Sequence, residues 1–302
     1  MSIFSKKKRH PITTKKNEAA TIGAMHRWMI LVWMWRFAIV DARIIAALIG
    51  CTKKTAVNKL RQVEKRELIQ SQYRGGRKIY WLTQQGGREA RAVAREKSDQ
   101  IDAPIARLRI KSEPSRWPAP GNIPHELLAQ IYLLRAMGKI QSKDVGGTIK
   151  RVAGSREFLA ADPYWSDIVE YRGRPIAPDA AVHWESQKGA DRYWFLEMEI
   201  DREKAPLERS SRLFHYHRML LDQSGAEAKF VFASGATAET WSKTPIYEYR
   251  LDAQVYDGKQ HDRWVRVVDR RGDHPETDRQ SDRLKFGVID QALRIYLPDY
   301  RR

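Results

Sequence analysis

The stretch from Pro178 to Asp201 constrains the fold of this chain more tightly than any other. It reads Pro-Asp-Ala-Ala-Val-His-Trp through Trp184, then, after a polar interval, Arg-Tyr-Trp-Phe-Leu-Glu-Met-Glu-Ile-Asp from Arg192 to Asp201. Both halves have the composition of strands, expected over Ala180–Trp184 and Tyr193–Ile200. Side chains in a strand alternate between faces, so Glu197, Glu199 and Asp201 share one side of the second strand, and Asp179 heads the first. Three carboxylates on one strand face repel one another and resist desolvation, so a fold tolerates them where a positive charge sits among them. Magnesium or manganese is the simplest such charge, because hard divalent cations take oxygen ligands.

A reason to hold a polyanion beside such a site lies at the other end of the chain. The formal net charge is +18 over 302 residues. The first 100 residues hold 22 Lys and Arg against 7 Asp and Glu, and the remaining 202 hold 33 against 30. One third of the molecule therefore carries most of the attraction for nucleic acid. Residues 1–19 form a basic arm with little to bury, read either as a phosphate-binding tail or as a solvated one. Helical periodicity follows from Ile22 to Phe37. Asp41 caps a short helix ended by Gly50, and another helix runs from Lys53 to about Arg66. On that last helix Ala56, Leu60 and Val63 form the inward stripe, while Thr55, Asn58, Lys59 and Gln62 face out with no acidic residue among them. Two short strands, Leu68–Tyr73 and Lys78–Thr83, flank a turn at Arg74-Gly75-Gly76-Arg77 and read as a hairpin.

Three helices and a hairpin with a basic tip resemble a winged helix-turn-helix domain over residues 20–95, and the Leu82-Thr83…Gly86 segment is also similar to that superfamily. In such domains the third helix enters the major groove of double-stranded DNA and the hairpin touches the backbone. The expected DNA-binding residues are Lys53, Lys54, Thr55, Asn58, Lys59, Gln62, Arg74, Arg77 and Lys78. The competing reading is a winged helix used only for dimerisation or protein docking.

Prolines at 104, 114, 118, 120 and 124 mark residues 96–124 as a semi-rigid linker. Beyond it the chain reads as α/β or α+β with a mixed sheet. Helices are expected at His125–Met137, near Gly154–Ala161, at Leu207–Leu221, from Thr237 to Ser242 and at Ser281–Tyr296. Further strands are expected near Ile168–Tyr171, Lys229–Ser234, Tyr247–Val255 and Trp264–Val268.

This order and its acidic pattern resemble the PD-(D/E)xK nuclease fold of restriction-endonuclease-like enzymes over residues 125–302. Pro178-Asp179 supplies the first element and Glu199-Ile200-Asp201 the second, with Asp201 standing where the superfamily places lysine. Together with the winged helix, His125-Glu126-Leu127, Pro178-Asp179-Ala180, Glu199-Ile200-Asp201-Arg202 and Arg212-x-x-x-Tyr216 resemble the replication-relaxation family. That family's own pattern has lysine where Arg212 stands. It is similar in turn to the MOB-C class of plasmid mobilisation relaxases, thought to nick DNA with a nuclease-like domain. The resemblance spans about residues 22–220. It implies a site-specific nickase at a plasmid or mobile-element origin, working on duplex DNA, single-stranded near the nick, as a homodimer or beside relaxosome or replication proteins.

The residues themselves permit that chemistry. Asp179 and Glu199 are placed to share a metal that lowers the pKa of bound water. Asp201 is a further ligand or orients the water, and Glu126 is an outer ligand. Arg212 stabilises charge without moving a proton. Glu197 ranks below Glu199. Three readings compete with hydrolysis. An acidic strand edge can be paired with nearby arginines, with Asp179 a turn residue. A degenerate nuclease fold can serve a non-catalytic replication or transcription regulator. Tyr193 or Tyr216 can act as a covalent nucleophile. His215-Tyr-His217 spells the His-hydrophobe-His motif of another relaxase class, but in a helix these imidazoles diverge. Lone Cys51 fits a reducing cytoplasm, and the apolar run Trp28–Val40, broken by Arg36, is too short for a membrane span of about 20 residues and reads as a buried helix.

Overall fold

The computed structural model describes residues 15–74, 76–96, 122–159, 164–165, 170–171, 174–200, 204, 206–244, 246, 249–256, 259–266 and 283–297. Most of the basic arm, the body of the expected linker and Asp201 lie outside these residues.

The chain begins with α1 (Lys15–Phe37). Every residue from Met29 to Phe37 is buried, Arg36 included, as expected of a helix apolar on all sides. Strand β1 (Ile39–Asp41) leads into α2 (Ala42–Leu48), capped as expected: the Asp41 carboxylate accepts from the amides of Arg43 and Ile44. Thr52 caps α3 (Lys53–Glu64), whose Ala56, Leu60 and Val63 point inward. The hairpin pairs β2 (Ile69–Arg74) with β3 (Arg77–Leu82), and β1 joins β3 to complete a three-stranded antiparallel sheet.

An unexpected helix, α4 (Gln84–Glu96), follows and packs against α1. Its start explains the Thr83…Gly86 spacing. The Thr83 hydroxyl accepts from the Gly86 amide at 3.0 Å, and a Cβ on Gly86 would stand 1.8 Å from the Leu68 carbonyl oxygen. Only a residue without a side chain lets the two segments approach so closely.

The second half is built on a five-stranded mixed sheet. In chain order come α5 (Asn122–Ile140), β4 (Thr148–Gly154), α6 (Ser155–Leu159), the short pair β5 (Glu170–Tyr171) and β6 (Arg174–Pro175), β7 (Ala180–Glu185) and β8 (Asp191–Glu199). Then follow α7 (Pro206–Asp222), β9 (Ala226–Phe232), α8 (Gly235–Ser242), the two-stranded pair β10 (Tyr249–Tyr256) and β11 (Lys259–Arg266), and β12 (Leu284–Val288). The sheet order is β12-β9-β8-β7-β4. β8, β9 and β12 run parallel, and β7 lies antiparallel between β8 and β4. α7 provides the crossover that a parallel β8–β9 pair requires.

Strand parity divides the sheet into two buried faces. Ala180, Val182, Leu196 and Met198 face the core that holds α5, while Ala181, Phe195, Phe230 and Phe232 face the core that holds α7 and α8. The first of these cores is continuous with the amino-terminal unit. Trp33 of α1 donates to Gln130 of α5 at 2.8 Å, and Gln130 donates onward to the Ile39 carbonyl at 2.9 Å. Arg36 and Glu157 meet at 2.7 Å with both side chains fully buried.

The expected closing helix at Ser281–Tyr296 is not formed. Leu284–Val288 is a parallel strand, and a 3-10 helix covers Gln291–Tyr296. The apolar spacing that suggested a helix also satisfies alternation through Leu284, Phe286 and Val288. The open edge of β9 decides between them: it gains backbone partners and stacks Phe230 on Phe286 with ring centroids 5.8 Å apart. Among the described residues no helix is long and apolar enough to cross a membrane.

Candidate functional site

β7 and β8 are antiparallel neighbours, so the start of one lies beside the end of the other. This places Asp179 next to Met198 and Glu199, at the carboxyl edge of the parallel strands where α/β sheets hold ligands. Asp179 is stitched there by its backbone and its side chain. Its amide donates to the Leu196 carbonyl at 2.9 Å, and its carboxylate accepts from the Met198 amide at 2.7 Å. The Ser155 amide, just past β4, donates to the Asp179 carbonyl at 3.1 Å.

Helix α5 brings two more ionisable groups to this edge. His125 Nε2 lies 2.9 Å from the Met198 carbonyl and 3.3 Å from the Asp179 carboxylate. A proton on Nε2 lets the ring donate to the first while facing the second. Glu126 follows it. Burial, and then the negative charge of Asp179, push the Glu126 carboxyl up to about 7, against the pull of His125 and Arg156. A carboxyl with that pKa beside another carboxylate is a group that a cation would deprotonate.

Across the edge, α7 and the segment before it supply positive charge. Glu197 is 1% exposed and accepts from Arg212 and from the Tyr216 hydroxyl, one turn further along α7. Burial pushes Glu197 up to about 7 while Arg212 opposes it. Burial alone would lower the Arg212 pKa, but Glu197, Tyr216, Glu199 and Asp179 together raise it, so the guanidinium stays charged. Tyr216 is raised well above the ordinary phenol range by burial and by Glu197. Both oxygens of Glu199 meet the Lys204 ammonium, one at 2.6 Å, and the Arg212 Nε lies 3.3 Å from the same carboxylate. Arg209 donates to the Lys204 carbonyl at 3.0 Å and so fixes the backbone that carries this lysine.

Asp179 thus has two groups of expected site residues near it, Glu126 from α5 and Arg212 with Glu199 across the edge, while Asp201 lies outside the described residues. Two further members emerge. Glu197 stands deeper than Glu199 on the same face, as strand parity implied. Lys204 puts an ammonium on Glu199 from three residues beyond the position where the PD-(D/E)xK pattern expects it. No periodicity announces this lysine, five residues past the end of β8. Among the described residues no three His, Cys, Asp or Glu side chains converge as a ready metal cage, and cations hold both glutamates of β8. His215 and His217 share α7, where two positions differ by about 200° around the axis.

The expected DNA-binding residues divide into two groups. Lys53, Lys54, Thr55, Asn58, Gln62 and Arg74 are exposed, and Lys59 is half-buried. Arg77 and Lys78 instead turn inward. The Arg77 guanidinium stacks 3.8 Å from the Tyr296 ring centroid and donates to the Ile295 carbonyl at 2.7 Å. The Lys78 ammonium meets Glu64 at 3.2 Å. The chain matches no family model, no curated protein and no solved structure.

Proposed function

We propose that this protein is a DNA-binding, metal-dependent endonuclease, a nickase or relaxase acting at a plasmid or mobile-element origin. In this reading residues 20–95 are a winged helix-turn-helix and residues 125–302 a PD-(D/E)xK-like nuclease unit. The observation that carries it is the meeting of Asp179 and Glu199 at the shared end of two adjacent strands, with Lys204 on Glu199. The donor chemistry fits magnesium or manganese: all the carboxylates offer hard oxygen, and the Glu126 carboxyl, raised to about 7 by burial and by Asp179, is one that a nearby cation would ionise. Asp179, Glu199 and Glu126 would hold the ion, with Asp201 a further candidate ligand. When bound, the ion supplies an acidified water and charge neutralisation at phosphate.

The chain's own residues do the rest. Arg212 stays protonated and stabilises negative charge developing on the scissile phosphate. Lys204, whose ammonium contacts both oxygens of Glu199, is the chain's own candidate to orient or protonate, the role left open by Asp201. The exposed face of α3 holds the duplex. Supercoiled cognate plasmid should be converted to open circles by the purified protein with magnesium or manganese, and not by Asp179→Asn. Intact supercoils under conditions where the plasmid is bound would remove the enzymatic reading.

One observation favours a second reading. Arg212, Tyr216 and Lys204 already satisfy Glu197 and Glu199, which suits a retired site kept for structure in a replication or transcription regulator. That protein would keep its biological activity when Asp179 and Glu199 are replaced together.

A further inference from the structure

A second concave site lies in the amino-terminal unit, away from the carboxylates. It is a cavity of about 620 Å³ between the start of α2, one side of α3 and the hairpin, closed at the back by Arg77 and Ile295. That volume falls within the range of about 300–1,000 Å³ typical of small-ligand pockets. Arg43, Lys53 and Arg61 line it and are exposed, and none of them forms an ion pair among the described residues. On α3, Lys53 and Arg61 flank Val57 at intervals of four, so they form a stripe distinct from the Thr55-Asn58-Lys59-Gln62 face. Asp41, the one acid in the lining, is committed elsewhere: it caps α2, accepts from the Tyr296 hydroxyl at 2.9 Å and lies 3.6 Å from Arg77.

Two aromatic rings complete the lining. Tyr80 is buried, and Tyr73 stands on β2 at the mouth with 72% of its surface exposed, the most exposed large hydrophobic residue described. An aromatic ring presented to solvent beside uncompensated cations is the arrangement that stacks a base and binds its phosphate. A duplex offers its bases only by their edges, so a stacking ring at this position has no use for paired DNA.

We propose that this groove binds an unpaired nucleotide, with the base stacked on Tyr73 and the phosphate held by Arg43, Lys53 and Arg61. The nucleotide is free in solution or belongs to a single-stranded segment. The second source rests on the DNA-binding reading above and would place melted DNA against the module that also holds the duplex.

The test uses the full chain in chelator, where the carboxylate site plays no part. Fluorescence anisotropy of a labelled short oligothymidylate should show binding that Tyr73→Ala weakens about tenfold and Tyr73→Trp retains. Arg61→Glu should weaken it at least as much. A duplex of the same length should bind Tyr73→Ala as it binds the wild type. Competition by thymidine monophosphate at Tyr73-dependent affinity assigns the site to free nucleotides, and failure of that competition assigns it to the strand. Oligothymidylate that does not bind, or that binds regardless of Tyr73→Ala and Arg61→Glu, overturns the proposal. Neither outcome bears on plasmid cleavage, which depends on Asp179 and Glu199.

Discussion

At the scale of single residues, Glu126 is the most informative group in the molecule. Its carboxyl is pushed up to about 7 by burial and by Asp179, against an ordinary value near 4.3. A carboxyl that holds its proton more tightly folded than unfolded contributes most to stability below its unfolded pKa, and that contribution fades as pH rises through the folded one. The metal-free protein should therefore lose melting temperature between about pH 5 and about pH 8, and Glu126→Gln should flatten the slope. Burial drives Glu197 in the same direction, so part of the slope should persist in that variant. A slope identical in Glu126→Gln and wild type would show that this carboxyl does not hold its proton as described. Arg212 and Lys204 illustrate how charge is kept at the site. One is raised by the four groups around it, and the other grips Glu199 while its own carbonyl accepts from Arg209.

At the scale of elements, the buried pair between α1 and α6 joins the two halves of the chain. Arg36 donates to Glu157 at 2.7 and 3.3 Å, and Glu157 also accepts the Gly154 amide at 2.8 Å. Both side chains are fully buried, so removing one partner strands a charge in the core. Arg36→Met should cost about 3–5 kcal/mol in chemical denaturation, and Arg36→Met with Glu157→Met should recover most of that loss. A single variant as stable as wild type would mean the pair is not buried as described. Elements were unevenly legible in the sequence. The Asp41 cap, the inward stripe of α3 and the Gly-Gly hairpin follow from local chemistry and stand where expected. α4 was not foreseen, because Gly86 and Gly87 argue locally against a helix, and only tertiary packing on Leu68 explains why glycine is required. The segment 284–288 satisfies helical and strand spacing equally, and the vacant edge of β9 decided it.

At the scale of the whole molecule, the charge asymmetry and the carboxylate edge were both visible in composition and spacing. Strand alternation put Glu197 on the face of Glu199, while the nuclease-like resemblance and the 20-residue spacing set Asp179 beside them. Long-range geometry was not legible. Nothing in the sequence joins Arg77 to Tyr296, 219 positions later, or shows that α1 and α5 share one apolar core. The central claim is that Asp179 and Glu199 form one cation-binding unit with Glu126, and that this unit gives a DNA-binding chain its chemistry. Titration calorimetry of manganese into the wild type and into Asp179→Asn/Glu199→Gln addresses it most directly. The account predicts binding to the wild type that strengthens from about pH 6 to about pH 8 as Glu126 yields its proton, and no binding to the double variant. Equal binding by both proteins, or none by the wild type even with DNA present, would contradict it.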